Sequence, residues 1–263
     1  MNSFSSNVKN NQRMIFSFLI AFITLAVWYY LTLDQSSQEK LIFPGLHGLI
    51  KTTISNYQKI AEYSLITFYR IITGLLIGST LGFFIGLLMT WNEFIEYLLD
   101  PYIETIRPIP PIALTPFFIL WFGLGDLGQL LLVALGCFMV IIVTTVVSAK
   151  NVSPIYIRAA KSLGASKFKL YQTIIVPAIM PNIASAIRIA AATGFGLTVA
   201  AEYLGAQGGL GYMIRNARVT LETESILIAA LILGLESLIL DQLLRYTFNK
   251  LTAWLPKDNE QNK

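Results

Sequence analysis

The chain has 263 residues; 55% are hydrophobic and 13% are Asp, Glu, Lys or Arg, whereas about 25% of an average soluble domain is charged. This composition excludes intrinsic disorder, and the single cysteine, Cys137, excludes a disulfide scaffold. The net charge of +4 arises from basic residues that lie between apolar runs, which argues against a nucleic-acid surface. We therefore predict an all-α integral membrane protein.

Apolar stretches long enough to cross a bilayer, which takes about 20 residues, recur along the whole chain. The first is longer than the core of a signal peptide, and no cleavage site of small residues follows it, so we interpret it as a retained anchor. The stretches predict six transmembrane helices, at 14–33, at 71–90, at two places within 108–149 on either side of a glycine-rich turn over 123–128, at 177–201 and at 225–244.

The orientation of these helices follows from the preference of Lys and Arg for cytoplasmic loops. With the N-terminus inside, twelve Lys and Arg residues fall in cytoplasmic segments and five in outer segments. The sequence therefore predicts a multi-pass protein of the cell (inner) membrane, in contact with lipid, with both termini cytoplasmic. Residues 1–60 are expected to hold the N-terminal tail, the first helix and an outer amphipathic helix, and residues 248–263 a cytoplasmic C-terminal tail.

Two periodic patterns precede the middle of the chain. Apolar residues recur at helical spacing from Leu46 to Ala61, opposite Lys51 and Lys59, which predicts an amphipathic helix on the outer membrane surface or against the bundle. In the second predicted membrane helix, glycine recurs every fourth residue. A face without side chains allows a neighbouring helix to approach closely, and it could also line a pathway. The glycines are Gly74, Gly78, Gly82 and Gly86.

The predicted cytoplasmic loop between the fourth and fifth membrane helices contains signals for two short helices. Ser153 and Pro154 are typical of a helix start, and Gly164 can adopt the left-handed conformation that ends a helix. A second helix restarts after Gly164, and we expect Pro177 and Pro181 to interrupt it. The sequence thus predicts a helix, a glycine elbow and a helix across the inner mouth of the bundle.

This loop resembles the E-A-A-x-x-x-G-x9-I-x-L-P loop of permease subunits of binding-protein-dependent ABC importers. In that family the loop is the coupling helix, which docks into a cleft on a cytosolic ATPase subunit. Arg158 stands in place of the usual Glu and Val176 in place of the usual Leu. A basic connection that merely faces lipid headgroups remains an alternative. The coupling residues that the resemblance implies are Arg158, Ala159, Ala160, Gly164, Ala165, Ile174, Val176 and Pro177.

Further segments are similar to the nitrate/sulfonate/taurine/bicarbonate branch of these permeases: 107–113 with 120–123, 158–167, and 200–205 with 208–212. The resemblance, which covers 60–246, implies a type I ABC importer permease fold with the transmembrane domain at 61–247. It also implies a second permease chain, expected to be identical, a cytosolic ATPase dimer that binds MgATP, and an extracytoplasmic solute-binding protein. The chain itself would hold no cofactor and catalyse no reaction. It would form the path for a small oxyanion, first an aliphatic sulfonate such as taurine and second nitrate or bicarbonate.

Prolines cluster near the start of the third predicted membrane helix. Pro110 and Pro111 lack the backbone donors of an ordinary helix, so we expect an irregular or kinked start around Thr115. Exposed carbonyls at membrane depth must face protein or water, and broken helices tend to line transport paths. A plain proline-rich helix entry is the alternative.

Ionisable residues inside membrane helices are expected to face the bundle interior, because facing lipid costs an estimated 2.5–3.5 kcal/mol or more. Arg188 and Glu236 lie at similar predicted depth, which suggests an ion pair that joins the fifth and sixth helices. Arg70, near the outer end of the second helix, would either attract a substrate oxyanion or reach towards lipid headgroups.

The outer end of the fifth predicted helix leads into a glycine-rich segment. Glu202 at this end is expected to fix the segment or to touch a docked binding protein, together with Gln207 and Tyr212. We expect no metal site and no catalytic residue in the chain, because its single histidine, His47, lies in the outer amphipathic stretch and its acids are scattered.

The competing functional class is a secondary transporter or channel that is driven by an ion gradient and needs no ATPase. Such a protein would be expected to contain inverted repeats and carboxylates near the membrane centre. The sequence shows no internal repeat, and Glu236 is its only deeply placed acid. A membrane-embedded enzyme would need clustered polar residues that the sequence does not supply.

Overall fold

The computed structural model of the protein describes residues 16, 19–20, 22–24, 26–32 and 44–251. Within these residues all regular structure is helical, and a 3-10 turn, Pro111–Leu114, and a π-turn, Tyr171–Ile175, interrupt the α-helices. The α-helices from residue 44 onwards are α1 (Leu46–Trp91), α2 (Glu93–Ile106), α3 (Thr115–Phe122), α4 (Asp126–Lys150), α5 (Pro154–Ser162), α6 (Lys167–Leu170), α7 (Val176–Gly205), α8 (Leu210–Thr220) and α9 (Thr223–Leu251).

Four helical units of the described ranges are long and apolar enough to cross a membrane: α1, α4, the run Lys167–Gly205 and α9. A fifth crossing results if α2 and the helix of Pro111–Phe122 are taken together as one bent span. The first predicted membrane helix, 14–33, lies largely outside the described residues. The multi-pass architecture is confirmed, whereas the count of six stays a prediction.

The helix α1 is a single rod of 46 residues, about 69 Å long at 1.5 Å per residue. The sequence predicts a separate amphipathic helix before the second membrane helix. This prediction is wrong, because one continuous helix covers both segments. No proline occurs between Leu46 and Trp91, and no glycine occurs between Gly48 and Gly74, so nothing breaks the helix. Leu49 and Ile60 pack against Ile228 of α9, which holds the first half of the rod against the bundle.

The glycine face of α1 lies directly against α4. A Cβ atom added at Gly78 would lie 2.2 Å from the carbonyl oxygen of Ala134, and one added at Gly82 would lie 2.8 Å from the carbonyl oxygen of Phe138. The two backbones are therefore in contact, as the spacing of the glycines predicts. This packing places the first residue of α4, Asp126, beside Arg70 of α1.

The proline-rich segment does not form a straight membrane helix. The axis bends by 86° between α2 and the helical stretch Pro111–Phe122, and α3 has only eight residues, too few to cross a bilayer alone. The predicted irregular start is thus confirmed. The predicted tight turn after it is also present, because Gly123 ends α3 with a φ of 79°.

The prolines at the start of the fifth predicted membrane helix do not interrupt it. Helical structure runs from Lys167 to Gly205, through the π-turn Tyr171–Ile175 and past Pro177 and Pro181. The wider π-turn shifts the hydrogen-bond pattern just before Pro177, whose missing N–H falls at the first turn of α7, where prolines are tolerated. The expected break is therefore wrong, and one helical unit connects the cytoplasmic loop to the glycine-rich outer segment.

We predict that Gly78→Ala destabilises the protein by about 1–3 kcal/mol, because the new methyl group would overlap the backbone of α4. Gly196→Ala is the matched control, because a Cβ atom at this helical glycine meets nothing within 4 Å. The measurement is thermal unfolding of the purified chain in detergent. Equal melting temperatures for the two variants would contradict the close α1–α4 contact.

Candidate functional site

A buried network of charges joins three helices at the outer end of the bundle, as oriented by the distribution of basic residues. Arg70 Nη1 donates to Glu202 Oε1 at 2.7 Å and to the carbonyl oxygen of Gly208 at 2.8 Å. Arg70 Nε donates to Asp126 Oδ1 at 3.0 Å, and Nη2 donates to the same oxygen. The side chains of Arg70 and Glu202 are almost completely buried, whereas that of Asp126 is 69% exposed.

The glycine-rich segment folds around the carboxylate of Glu202. The N–H group of Gly211 donates to Glu202 Oε2 at 2.8 Å, and the hydroxyl of Thr67 donates to the same carboxylate. Gly209 has a φ of 105°, and a Cβ atom there would lie 2.3 Å from Glu202 Oε1, so only glycine fits. The carboxylate thus lies at the N-terminus of α8, where free N–H groups and the helix dipole favour a negative charge.

This geometry corrects two expectations about the outer end. The guanidinium of Arg70 is occupied by Glu202, Asp126 and Gly208, so it is not free to attract a substrate oxyanion or to reach lipid headgroups. Glu202 fixes the glycine-rich segment, as one reading of the sequence predicted, and it has no exposed surface for a docked protein to touch. No pattern in the sequence relates positions 70 and 202, so their pairing could not be predicted.

Two other residues expected at the binding-protein contact do lie near the outer surface. Gln207 is exposed in the loop before α8. Tyr212 is half-buried; its ring packs edge-to-face on Tyr63 at 5.7 Å, and the guanidinium of Arg215 lies 4.9 Å from its centroid. Gln207 is therefore available to a partner, whereas Tyr212 shares in holding α8 against α1.

The expected ion pair between Arg188 and Glu236 is wrong. Arg188 Nε donates to Asp241 Oδ1 at 2.7 Å, and Asp241 also accepts from Arg245 at 2.8 Å. Glu236 accepts instead from the hydroxyl of Ser64 on α1. Glu236 and Asp241 lie five positions apart on α9, so their side chains project at different depths and from different sides of the helix, and they meet different neighbours. An ion pair does connect the fifth and sixth predicted helices, but its acidic member is Asp241.

The proline-rich segment lies between two cavities. One, of about 270 Å³, is lined by Arg107, Pro111 and Thr193 together with apolar side chains of α4. The other, of about 600 Å³, lies between α7 and α9 and is almost entirely apolar, with Ile112 on its wall. Pro110 lies between the bend and this wall, and the side chain of Thr115 is buried and donates to the carbonyl oxygen of Ile112 at 2.7 Å.

The elbow in the loop after α4 is a Schellman motif. Ala165 N–H donates to the carbonyl oxygen of Ala160 at 3.0 Å, and Gly164 N–H donates to that of Lys161 at 3.0 Å. Gly164 has a φ of 77°, as predicted, and a Cβ atom there would meet nothing within 4 Å. Glycine is therefore favoured at this position by its backbone conformation and not by a lack of space. Ser166 accepts from the N–H group of Lys169 and caps α6.

Large apolar side chains are exposed on α5 and directly after it, although this helix lies outside the predicted membrane helices. Ala160 is buried against Leu170 and Ile179, which fixes α5 to the start of the helical run that includes α7. Arg158 and Ala159 are exposed, and Ile174, Val176 and Pro177 are half-buried. Sequence reasoning missed the largest exposed apolar residues here: Ile155 and Tyr156 in α5, and Leu163 directly after it, which is 88% exposed.

These features define a multi-pass helical membrane protein. A buried ion-pair network holds the helices together at one end of the bundle, and large apolar side chains are exposed at the other end. A family model, described as the inner membrane component of binding-protein-dependent transport systems, matches residues 74–252. The chain belongs to this family of ABC transporter permeases.

Relatives in this family include transporters named for sulfonates. The chain is 31% identical over 244 residues to the taurine transport system permease protein of Escherichia coli, covering 88% of this chain and 86% of that one. It is 34% identical over 192 residues to a protein described as an aliphatic sulfonates transport permease of Bacillus subtilis, covering 72% of this chain and 68% of that one.

Solved structures agree on the fold. The structure resembles a chain of an inward-facing methionine ABC transporter with a TM-score of 0.63 and 17% identity, over 77% of this chain and 99% of that one. It also resembles a chain of an amino acid ABC transporter with a TM-score of 0.61 and 17% identity, over 76% of this chain and 97% of that one. Both are permease folds of type I ABC importers, so the expected fold is confirmed at this level.

We predict that Glu202→Gln destabilises the protein by about 3–5 kcal/mol, because it removes the buried partner of Arg70. Glu104→Gln is the control, because the Glu104–Arg107 pair at 3.5 Å is more than half exposed and contributes about 0–1 kcal/mol. Thermal unfolding in detergent measures both. A Glu202 variant as stable as the control would show that the network does not hold the outer end.

A double-mutant cycle distinguishes the two partners considered for Arg188. We expect Arg188→Gln and Asp241→Asn to show a clear coupling energy, because their side chains are in contact. The cycle of Arg188→Gln with Glu236→Gln should give a coupling near zero. Unfolding free energies of the single and double variants supply the values, and the reverse order would restore the pair expected from the sequence.

Proposed function

We propose that the chain is the membrane-spanning subunit of an ATP-driven importer and that α5 is its docking element for a separate ATPase. The observation that carries this proposal is the apolar face of α5. Ile155, Tyr156 and Leu163 are large, exposed and outside the membrane segments, where a partner surface is the ordinary way to cover them. The match to the binding-protein-dependent family supports an ATPase with bound MgATP as that partner.

The helical connection from this face to the outer network suggests how docking acts at a distance. The Schellman elbow and the packing of Ala160 on Leu170 couple α5 to α6. The run Lys167–Gly205 then continues to Glu202, which holds both Arg70 and the start of α8. When a partner moves α5, this run carries the displacement to the outer end as one piece. That is the mechanical requirement of alternating access.

The relatives and the cavities support a small sulfonate as the cargo. The two relatives are named for taurine and aliphatic sulfonates, which share a compact anionic head. Arg70 is held in its buried network, so we assign the head to Arg107, which lines the cavity of about 270 Å³ beside Pro111 and Thr193. Its pair with Glu104, at 3.5 Å, is more than half exposed and therefore weak. A guanidinium presents two parallel N–H groups to a sulfonate as it does to other oxyanions. A solute-binding protein delivers the cargo at the outer end, where Gln207 is exposed.

The remaining parts of the proposal concern assembly and orientation. Two copies of this chain form the path, because no segment of the sequence requires a different sister subunit. Both termini are cytoplasmic, because the basic residues gather at the end of the bundle that carries α5. Neither nitrate nor bicarbonate is favoured by the relatives described above.

We predict that Gly164→Val weakens association with the ATPase at least tenfold, whereas Gly164→Asn retains it. Asparagine tolerates the left-handed conformation of this position, and valine does not. The measurement is co-purification of the tagged permease with the ATPase encoded beside it. If both variants bind the ATPase like the unaltered chain, or if uptake proceeds without any ATPase, the coupling role is refuted.

We also predict that ATP-dependent uptake of labelled taurine into proteoliposomes is competed by alkanesulfonates and not by nitrate. The vesicles contain the full complex with its binding protein. Arg107→Gln should lower the uptake rate, with Arg107→Lys intermediate, because lysine keeps the charge but loses the bidentate geometry. ATPase association serves as the control and should not change. Uptake that nitrate competes equally would contradict a sulfonate path.

A further inference from the structure

Two adjoining cavities of opposite character meet at Tyr171, at the end of the bundle that carries α5. One is apolar and the other is basic. We infer that together they form a binding site for one anionic phospholipid of the cytoplasmic leaflet, with the acyl chains in the apolar cavity and the phosphate in the basic one. This inference rests on the proposed orientation, which assigns this end to the cytoplasm.

The apolar cavity has a volume of about 340 Å³ and opens on the side of the bundle. Phe84, Leu88 and Trp91 of α1 form one wall, and Phe168 forms the other. The side chains of Phe84 and Phe168 are well exposed, so no other part of the described chain covers the apolar surface of this cavity. A hydrocarbon chain is the partner of matching chemistry at this depth, and Trp91 and Tyr171 mark the headgroup level where aromatic rings gather.

The basic cavity has a volume of about 470 Å³ and is lined by three lysines and one glutamate. Lys150 pairs with Glu96. Lys161, at the end of α5, is exposed and forms no ion pair among the described residues. Thr90 adds a hydroxyl to the lining. The lining therefore carries an excess positive charge with a free ammonium group, which suits a phosphate.

The wall between the cavities is built from Lys167, Trp91 and Tyr171. The ammonium of Lys167 donates to the carbonyl oxygen of Trp91 and lies 5.2 Å from the centroid of its indole ring. The rings of Trp91 and Tyr171 pack at 4.7 Å. This wall separates an apolar compartment from a charged one. A free inorganic anion would use only the charged compartment, whereas an anionic phospholipid fills both.

The site lies where lipid can influence transport. Its basic part includes Lys161 of α5, and its apolar part includes Phe168 of α6, so one bound lipid spans the Schellman elbow that joins these helices. A lipid held there stabilises the angle between α5 and the helical run that leads to the outer network. Basic pockets between membrane helices on the cytoplasmic side commonly bind anionic headgroups in this manner.

The test is native mass spectrometry of the full chain in detergent, titrated with dioleoylphosphatidylglycerol or dioleoylphosphatidylcholine. We expect one tightly bound phosphatidylglycerol, and Lys161→Gln should weaken its binding about fivefold, the effect of about 1 kcal/mol per lysine near an anionic headgroup. Lys161→Arg should retain it, and Lys51→Gln, at an exposed lysine far along α1, is the matched control. Leu88→Trp, which fills the apolar cavity, should also weaken binding.

Glycerol 3-phosphate separates the lipid from a free anion. It carries the phosphate without acyl chains, so it should not displace phosphatidylglycerol at equal concentration. Displacement would overturn the lipid assignment in favour of an anion site, and equal affinity for the two lipids or an unaffected Lys161→Gln variant would overturn the site itself. Melting temperatures with phosphatidylcholine show that each variant is folded. Failure here leaves the ATPase coupling intact, because that role is measured by co-purification.

Discussion

The buried pair of Arg70 and Glu202 is the interaction on which the outer half of the structure depends. Neither charge is tolerable alone in a membrane-embedded interior, so each fixes the position of the other. Arg70 also holds Asp126 at the start of α4, and Glu202 holds the N–H group of Gly211 at the start of α8. The network thereby holds four helices together at one place. Glycines surround the carboxylate because it fills the space that side chains would need.

The opposite end of the bundle has the reverse character. There the chain leaves large apolar side chains of α5 uncovered and lines a neighbouring cavity with lysines. The helical run Lys167–Gly205 spans the distance between the two ends and carries Glu202 close to its last residue.

Particular elements show how far sequence reasoning reached. The glycine face of α1 and the left-handed elbow at Gly164 were predictable, because each follows from the local geometry of one residue type. The break expected at Pro177 was wrong, because the π-turn before it changes the hydrogen-bond pattern so that the missing N–H group of Pro177 does not interrupt the helix. The periodicity of the sequence does not predict such a turn. The predicted partner of Arg188 was wrong, because Glu236 and Asp241 lie only five positions apart on α9. Depths estimated from the sequence are not precise enough to decide which of the two acids faces Arg188.

The sequence by itself determined the class of protein, its helical character and the place of the glycine elbow at Gly164. Apolar length, basic-residue bias and the spacing of alanine, glycine and proline are local properties that survive without contacts. Only the tertiary structure decided that Arg70 meets Glu202 and Asp126, and that Ile155, Tyr156 and Leu163 stay exposed. Charges far apart in the chain find partners through the packing of helices, and no one-dimensional pattern encodes which side of a helix its neighbours leave uncovered.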